Sequence, residues 1–148
     1  RLIAQPGEER NFHIFFQLVR GADDDLRAHL LLDDLTVDDF RITSQSGCNE
    51  IRGVDDKKEF QHVDQAMDLA GFDEKERYDV YAVLVSLMYL GNVKFNAKDI
   101  GKAEGSEVDE GSQKFLAKFC KLMCVEEEVV NRALTSRTVA AGGESIVT

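Results

Sequence analysis

Three kinds of side chain in this 148-residue chain could do chemistry: cysteines, paired carboxylates and a lysine beside a glycine. Cys120 and Cys124 stand four apart, a spacing that puts two thiols on one face of a helix and sketches half of a metal site. A second ligand pair is missing, since His13 and His62 fall in unrelated helical patterns, and buried thiols are the simpler reading. Cys48 lies in the run SQSGCNE. A nucleophilic thiolate needs a cationic neighbour or a helix N-terminus, and Asn49 and Glu50 supply neither. Asp23-Asp24-Asp25, Asp33-Asp34, Asp38-Asp39 and Asp55-Asp56 offer paired carboxylates. General acid–base work needs two carboxyls in unlike environments, whereas these sit where loops and helix starts are expected. Gly101-Lys102 lacks the spacing of a phosphate cradle. No catalytic, cofactor-binding or metal-binding residue is assigned, and function is expected in a surface.

That surface is acidic. A formal charge of −10 opposes binding to nucleic acid or anionic membrane, both of which need a basic face. Hydrophobic residues make up 43% and charged residues 31%, proportions ordinary for a globular domain with one core. The most apolar run, Val80 to Leu90, is too short to span a bilayer and suits a buried helix, so no membrane insertion is expected. The start RLIAQPGEERN lacks the layout of a signal peptide, and opening on Arg fits an internal fragment. Three cysteines form no disulfide framework, and an odd count suits a reducing compartment.

The elements that must carry the surface are mostly helical. Phe12, Phe15, Phe16 and Val19 recur at helical spacing from Glu9 to Arg20, with Gly21 as the expected stop. Asp24 to Leu31 reads as a short second helix, and Phe40 to Ile51 as extended or turning backbone. Asp56 and Glu59 stand at capping-box spacing before a stripe of Phe60, Val63, Ala66, Met67 and Ala70, closed by Gly71. Asp73 and Glu76 repeat the signal and open a helix to Leu90 that is apolar on nearly every face, hence central and buried. Val93-Lys94-Phe95 is a strand at most, and residues 96–111 are a polar surface loop. Ser112 is placed as the cap of a helix carrying Phe115, Leu116, Phe119 and Leu122. Glu126-Glu127-Glu128 opens the last helix, through Val129, Val130, Ala133 and Leu134. Finally, two β-prone runs flank Gly142-Gly143 in SRTVAAGGESIVT, which predicts a hairpin over 136–148. A lone hairpin is marginal in water, so the chain reads as truncated there.

Several stretches together resemble the motor domain of myosin. Gly7-Glu8-Glu9-Arg10-Asn11-Phe12-His13-Ile14-Phe15-Phe16-Gln17-Leu18 is similar to the family's G-E-R-N-[YF]-H-I-F-Y-Q-L segment. Tyr89-Leu90-Gly91-Asn92-Val93-Lys94-Phe95 resembles its H-L-G-N-I-x-F, with Tyr89 in place of His. Ala133-Leu134-Thr135-Ser136-Arg137-Thr138, followed by Gly143-Glu144, resembles A-L-x-x-R-x…G-E near the family's actin-binding face. Ile51-Arg52-Gly53-Val54-Asp55-Asp56 and Ala66-Met67 match smaller signatures, whereas Phe40-Arg41-Ile42-Thr43 departs from the family's aromatic-Tyr-Leu.

The resemblance covers the whole chain, 1–148, and implies a mainly α fold. The chain would be a helical part of the upper fifty-kilodalton subdomain of a larger P-loop motor domain, ending in a β-hairpin, the cardiomyopathy loop. The implied parent is an actin-activated ATPase using Mg-ATP. Its phosphate loop and two switches fall outside these residues, so this segment would bind no nucleotide alone. The implied partners are the actin filament and the remainder of the myosin head, in the cytoplasm on the cytoskeleton. Actin contact falls on Arg137, Thr138, Val139, Glu144 and Ser145. Glu144, or Ser145 one step on, aligns with the position where myosins carry a fixed acid or a phosphorylatable Ser/Thr. Arg132 and Arg137 against Glu144 leave 132–148 at net +1 although the chain is acidic. The loop over 96–111 matches a second surface loop of the family, with two lysines against five acids, net −3. A freestanding helical interaction module without ATPase activity is the alternative from another class.

Overall fold

The computed structural model describes residues 4–99, 104–136, 138–141 and 144–147. They fall into two units, Arg1–Asn92 and Val93–Thr148.

The first unit is helical. Helix α1 (His13–Gly21) buries Phe15, Phe16, Leu18 and Val19 and packs chiefly on α4 (Asp56–Leu69). Gly21 lies inside α1 rather than beyond its end. A Cβ there would stand 2.4 Å from Phe60 Cβ, so this glycine lets the two helices approach. Helix α2 (Asp24–His29) is capped by Asp23, whose carboxylate accepts the Leu26 N–H at 2.9 Å. Helix α4 ends where Gly71 takes φ +94°, as its sequence predicts. Of its expected apolar stripe only Phe60 is buried; Val63 and Met67 are half-buried, and Ala66 and Ala70 are exposed.

Phe40 to Ile51 is not the extended segment its polar residues predict. A 3-10 turn at Val37–Asp39 leads into the short helix α3 (Arg41–Ser44). Local and distant bonds combine to fold it. Thr36 and Asp39 form a capping box, with Thr36 N–H donating to the Asp39 carboxylate at 2.7 Å. Phe40 and Ile42 enter the core, and Asn92 clamps the segment by accepting Arg41 N–H at 2.8 Å and donating to Asp39 O at 2.6 Å.

Helix α5 (Glu74–Gly91) starts with the predicted Asp73/Glu76 capping box and buries Tyr81, Ala82, Val85, Met88 and Tyr89. Tyr81 O–H and Arg77 Nε both donate to Asp64 Oδ1, at 2.9 and 3.0 Å, joining α5 to α4. Tyr89, where the resembling motif has His, packs on Phe40 with ring centroids 5.5 Å apart. Its hydroxyl donates to Leu31 O at 2.6 Å, holding a residue whose φ is +57°. Burial pushes the Tyr89 phenol well above its ordinary range, with the Asp33 carboxylate adding to the shift. Not every face of α5 is covered: Val80, Val83 and Leu87 are exposed.

Among its described residues the second unit holds two α-helices and two antiparallel strand pairs. Strands β1 (Phe95–Asp99) and β2 (Glu104–Val108) pair antiparallel, from Phe95 opposite Val108 to Asp99 opposite Glu104. The expected polar loop is therefore largely a ribbon, strapped by Lys98–Glu107 at 3.1 Å and by Asp109 N–H donating to Lys94 O at 2.9 Å. Helix α6 (Gln113–Met123) buries Leu116 and Cys120. Ser112 stands at its N-cap, as expected, but makes no side-chain capping bond. Its hydroxyl instead accepts Lys94 N–H at 3.0 Å, while a 3-10 turn at Glu110–Ser112 starts the helix. Helix α7 (Glu127–Thr135) packs on α6 and β2, with Glu127 and Glu128 in its first turn.

Candidate functional site

Helix α7 stops by closing its own last turn. Ser136 adopts extended backbone (φ −139°), its N–H donates to Arg132 O at 2.9 Å, and its hydroxyl donates to the same oxygen at 2.6 Å. The chain then enters strands β3 (Thr138–Ala141) and β4 (Glu144–Val147), paired antiparallel as a second two-stranded sheet. Thr138 stands opposite Val147, Val139 opposite Ile146, Ala140 opposite Ser145 and Ala141 opposite Glu144. The predicted hairpin is thus present. Four of its five predicted contact residues, Thr138, Val139, Glu144 and Ser145, lie in its strands; Arg137 lies outside the described residues.

This register has chemical content. In a two-stranded sheet each strand keeps one edge of backbone N–H and C=O groups unpaired, a template for a further polypeptide. Glu144 pairs with Ala141 at one end of this register, and Ser145 with Ala140 at the next position.

The other candidates fare differently. Cys120 and Cys124 do not share a helical face: α6 ends at Met123, and Cys124 is its left-handed cap at φ +53°. Cys120 is buried, which raises its thiol above the ordinary range, and Cys124 is exposed. Among the described residues no three His, Cys, Asp or Glu side chains converge on a point that could hold a metal ion. Cys48 Sγ donates to Glu50 O at 3.8 Å.

One polar cluster escaped the sequence reading. The cap of α4 is Asp55, whose carboxylate accepts from Lys57 and Lys58 N–H; Asp56, the expected cap, turns inward. Its Oδ2 takes Arg10 Nη2 at 2.5 Å and Arg20 Nη1 at 2.6 Å, and Arg20 also donates to Asn49 O at 3.1 Å. Arg10 and Asp56 side chains are only 4% and 3% exposed. The Arg10 guanidinium also stacks 3.9 Å above the Phe16 ring. The available signal was two arginines spaced ten apart around an aromatic run, facing two adjacent aspartates of which one suffices for the cap. The cluster locks the Arg10-Asn11 leader, α1 and α4 together, and Asn11 Nδ2 extends the lock by donating to Ile42 O at 2.8 Å.

Among the described residues the second unit carries two separate two-stranded ribbons. Comparison with known proteins gives the chain a family. The myosin head (motor domain) family matches residues 1–148, and the chain belongs to it. It is 41% identical over 144 residues to myosin ID heavy chain of Dictyostelium discoideum, covering 96% of this chain and 12% of that protein. It is 32% identical over 150 residues to human unconventional myosin-Ib, covering 100% of this chain and 13% of that one. With human unconventional myosin-Va the identity is 35% over 147 residues, covering 99% and 8%. The chain therefore spans 13% or less of the length of each of these relatives.

Proposed function

We propose that this chain forms the upper jaw of the actin-binding cleft of an ATP-driven cytoskeletal motor and couples that jaw to a nucleotide site elsewhere in the polypeptide. The observation that carries the reading is the second hairpin. It comes after α7 in the chain, and its register pairs Glu144 with Ala141, in a chain that matches the motor-head family from residue 1 to 148. Arg137, Thr138, Val139, Glu144 and Ser145 make the actin contact. Glu144 supplies a permanent negative charge where a phosphoserine would carry about −1.5 to −2 only after a kinase acts, so engagement here needs no phosphorylation. Exposed ion pairs contribute only about 0.2–1 kcal/mol each. The hairpin thus steers and orients, and most of the filament affinity comes from other parts of the motor. The motor works in the cytoplasm, on the actin cytoskeleton.

Mg-ATP belongs to the parent motor in this reading. The described residues bring together no carboxylate or histidine cluster fit to hold its magnesium, so no step of the hydrolysis is assigned to them. What this segment contributes is rigidity: the Arg10–Asp56–Arg20 lock ties α1 to α4 within the first unit.

The test is co-sedimentation of the complete motor polypeptide with actin filaments, with residues 138–147 replaced by a Gly/Ser stretch of equal length. Weaker filament binding with unchanged basal Mg-ATPase is expected. Unaltered binding and unaltered actin activation would remove the hairpin from the interface.

A further inference from the structure

Outside the second hairpin, the described serine and threonine hydroxyls are committed to neighbours, with one exception. Thr36 binds the Asp39 carboxylate, Thr43 and Ser44 donate to Phe40 O, and Ser86 donates to Val83 O. Ser46 accepts Cys48 N–H, Ser112 accepts Lys94 N–H, and Thr135 and Ser136 donate back into α7. Ser106 is the exception: its hydroxyl has no hydrogen-bond partner among the described residues. It sits half-buried in β2, which holds Glu104–Val108 extended, and it pairs with Ala97. The charges around it are of one sign. Glu104 lies two positions before it, and Glu107, Asp109 and Glu110 lie one, three and four positions after it. No Lys or Arg occurs from 103 to 113, and no proline follows the serine. Glu107 and Glu110 are exposed, and Asp109 is half-buried.

We propose that Ser106 is a phosphate-acceptor site for an acid-directed protein kinase, one whose cleft carries cationic subsites for the carboxylates that follow the serine. Charge complementarity selects such a kinase. A kinase that requires arginine before the serine, or proline after it, finds neither here. In the reaction Ser106 Oγ forms a bond to the γ-phosphorus of the kinase's own Mg-ATP. The bond from that phosphorus to the ADP oxygen breaks, and the hydroxyl proton passes to a carboxylate of the kinase. The phosphoserine carries about −1.5 to −2 at neutral pH. Across the ribbon it stands opposite uncharged Ala97, and Asp99 lies one diagonal step away on the same face. The Lys98–Glu107 pair is on the other face. The added charge therefore meets a like charge and no cation among the described positions of its face, and it loosens the β1–β2 pairing. The inference does not rest on the actin reading.

The test incubates the complete motor polypeptide with Mg-ATP and casein kinase 2 and maps phosphate by mass spectrometry. Phosphate on Ser106 is expected, and none at that position in Ser106→Ala. In the double variant Glu107→Gln/Asp109→Asn it should arrive at least about tenfold more slowly, because two charge-assisted contacts to the kinase are lost. Amide exchange across 95–108 should speed up several-fold in the phosphorylated motor. No phosphate on Ser106 in the folded polypeptide overturns the proposal. An undiminished rate in the double variant, or equal labelling by an arginine-directed kinase, also overturns it, by showing that the acids do not direct the modification. Unchanged or slower exchange overturns the loosening of the ribbon.

Discussion

Up to Asn92 the chain closes its polar groups on one another: two arginines share the buried Asp56, Asn11 and Asn92 pin the backbone around α3, and Tyr89 reaches across to Leu31. Beyond Val93 the strongest organising features are ribbons, and the ion pair Lys98–Glu107 is about half exposed on both sides. Among the described residues of that second unit, Val93, Leu116 and Cys120 are the only buried apolar side chains. The contrast is one of division of labour. Buried polar groups that pair across elements resist rearrangement, which suits a frame. Two-stranded ribbons hold little of their own stability, which suits a surface that adapts to a partner.

The contrast breaks most readily at Asp56. Asp56→Ala removes the shared acceptor of Arg10 and Arg20, and loss of one partner of a buried pair costs about 3–5 kcal/mol. A fall in the urea midpoint that, multiplied by an unchanged slope, gives that loss is the expected reading; a loss under about 1 kcal/mol would show that the cluster does not organise the first unit. Gly21→Ala comes next. Overpacking against Phe60 should cost about 1–3 kcal/mol and outweigh the gain in helix propensity, at most about 1 kcal/mol. A stabilised Gly21→Ala would mean that α1 and α4 have room to part.

Tyr89 sharpens the comparison through pH. Its folded phenol stays protonated where the unfolded one ionises, near pH 10, so the folded state holds more protons there. Its contribution is therefore full below that pH and lost as pH rises further. Tyr89→Phe should cost about 1 kcal/mol at neutral pH through the lost hydrogen bond and flatten part of the alkaline decline. Tyr81, raised by burial in the same direction, accounts for a remaining share. The smallest effect is expected in the second unit: Lys98→Ala should change stability by about 0.2–1 kcal/mol, vanishing at high salt. A larger, salt-insensitive loss would make β1–β2 part of the frame.

What was legible in the sequence was local. The Asp73/Glu76 box, the stop at Gly71 and the pairing of β3 with β4 involve residues within a few positions of each other, and all three form as read. What stayed hidden depends on distant partners. Neighbouring Asp55 and Asp56 are equivalent by composition, and only Arg10 and Arg20 decide which turns inward. The α3 segment folds because Asn92 holds it, 51 residues away in sequence. The β1–β2 ribbon is written in polar residues without a strong alternation, and its pairing is visible only in space. Of the candidate contact residues, the types and the hairpin could be read from the sequence. Neither those types nor the register says which partner they meet.

The most direct test of the account takes the complete motor with Glu144→Ala and measures its ATPase as a function of actin concentration. The account predicts an unchanged basal rate and a several-fold loss of actin activation. Full actin activation in Glu144→Ala would contradict it, leaving the fixed charge without a part in filament engagement.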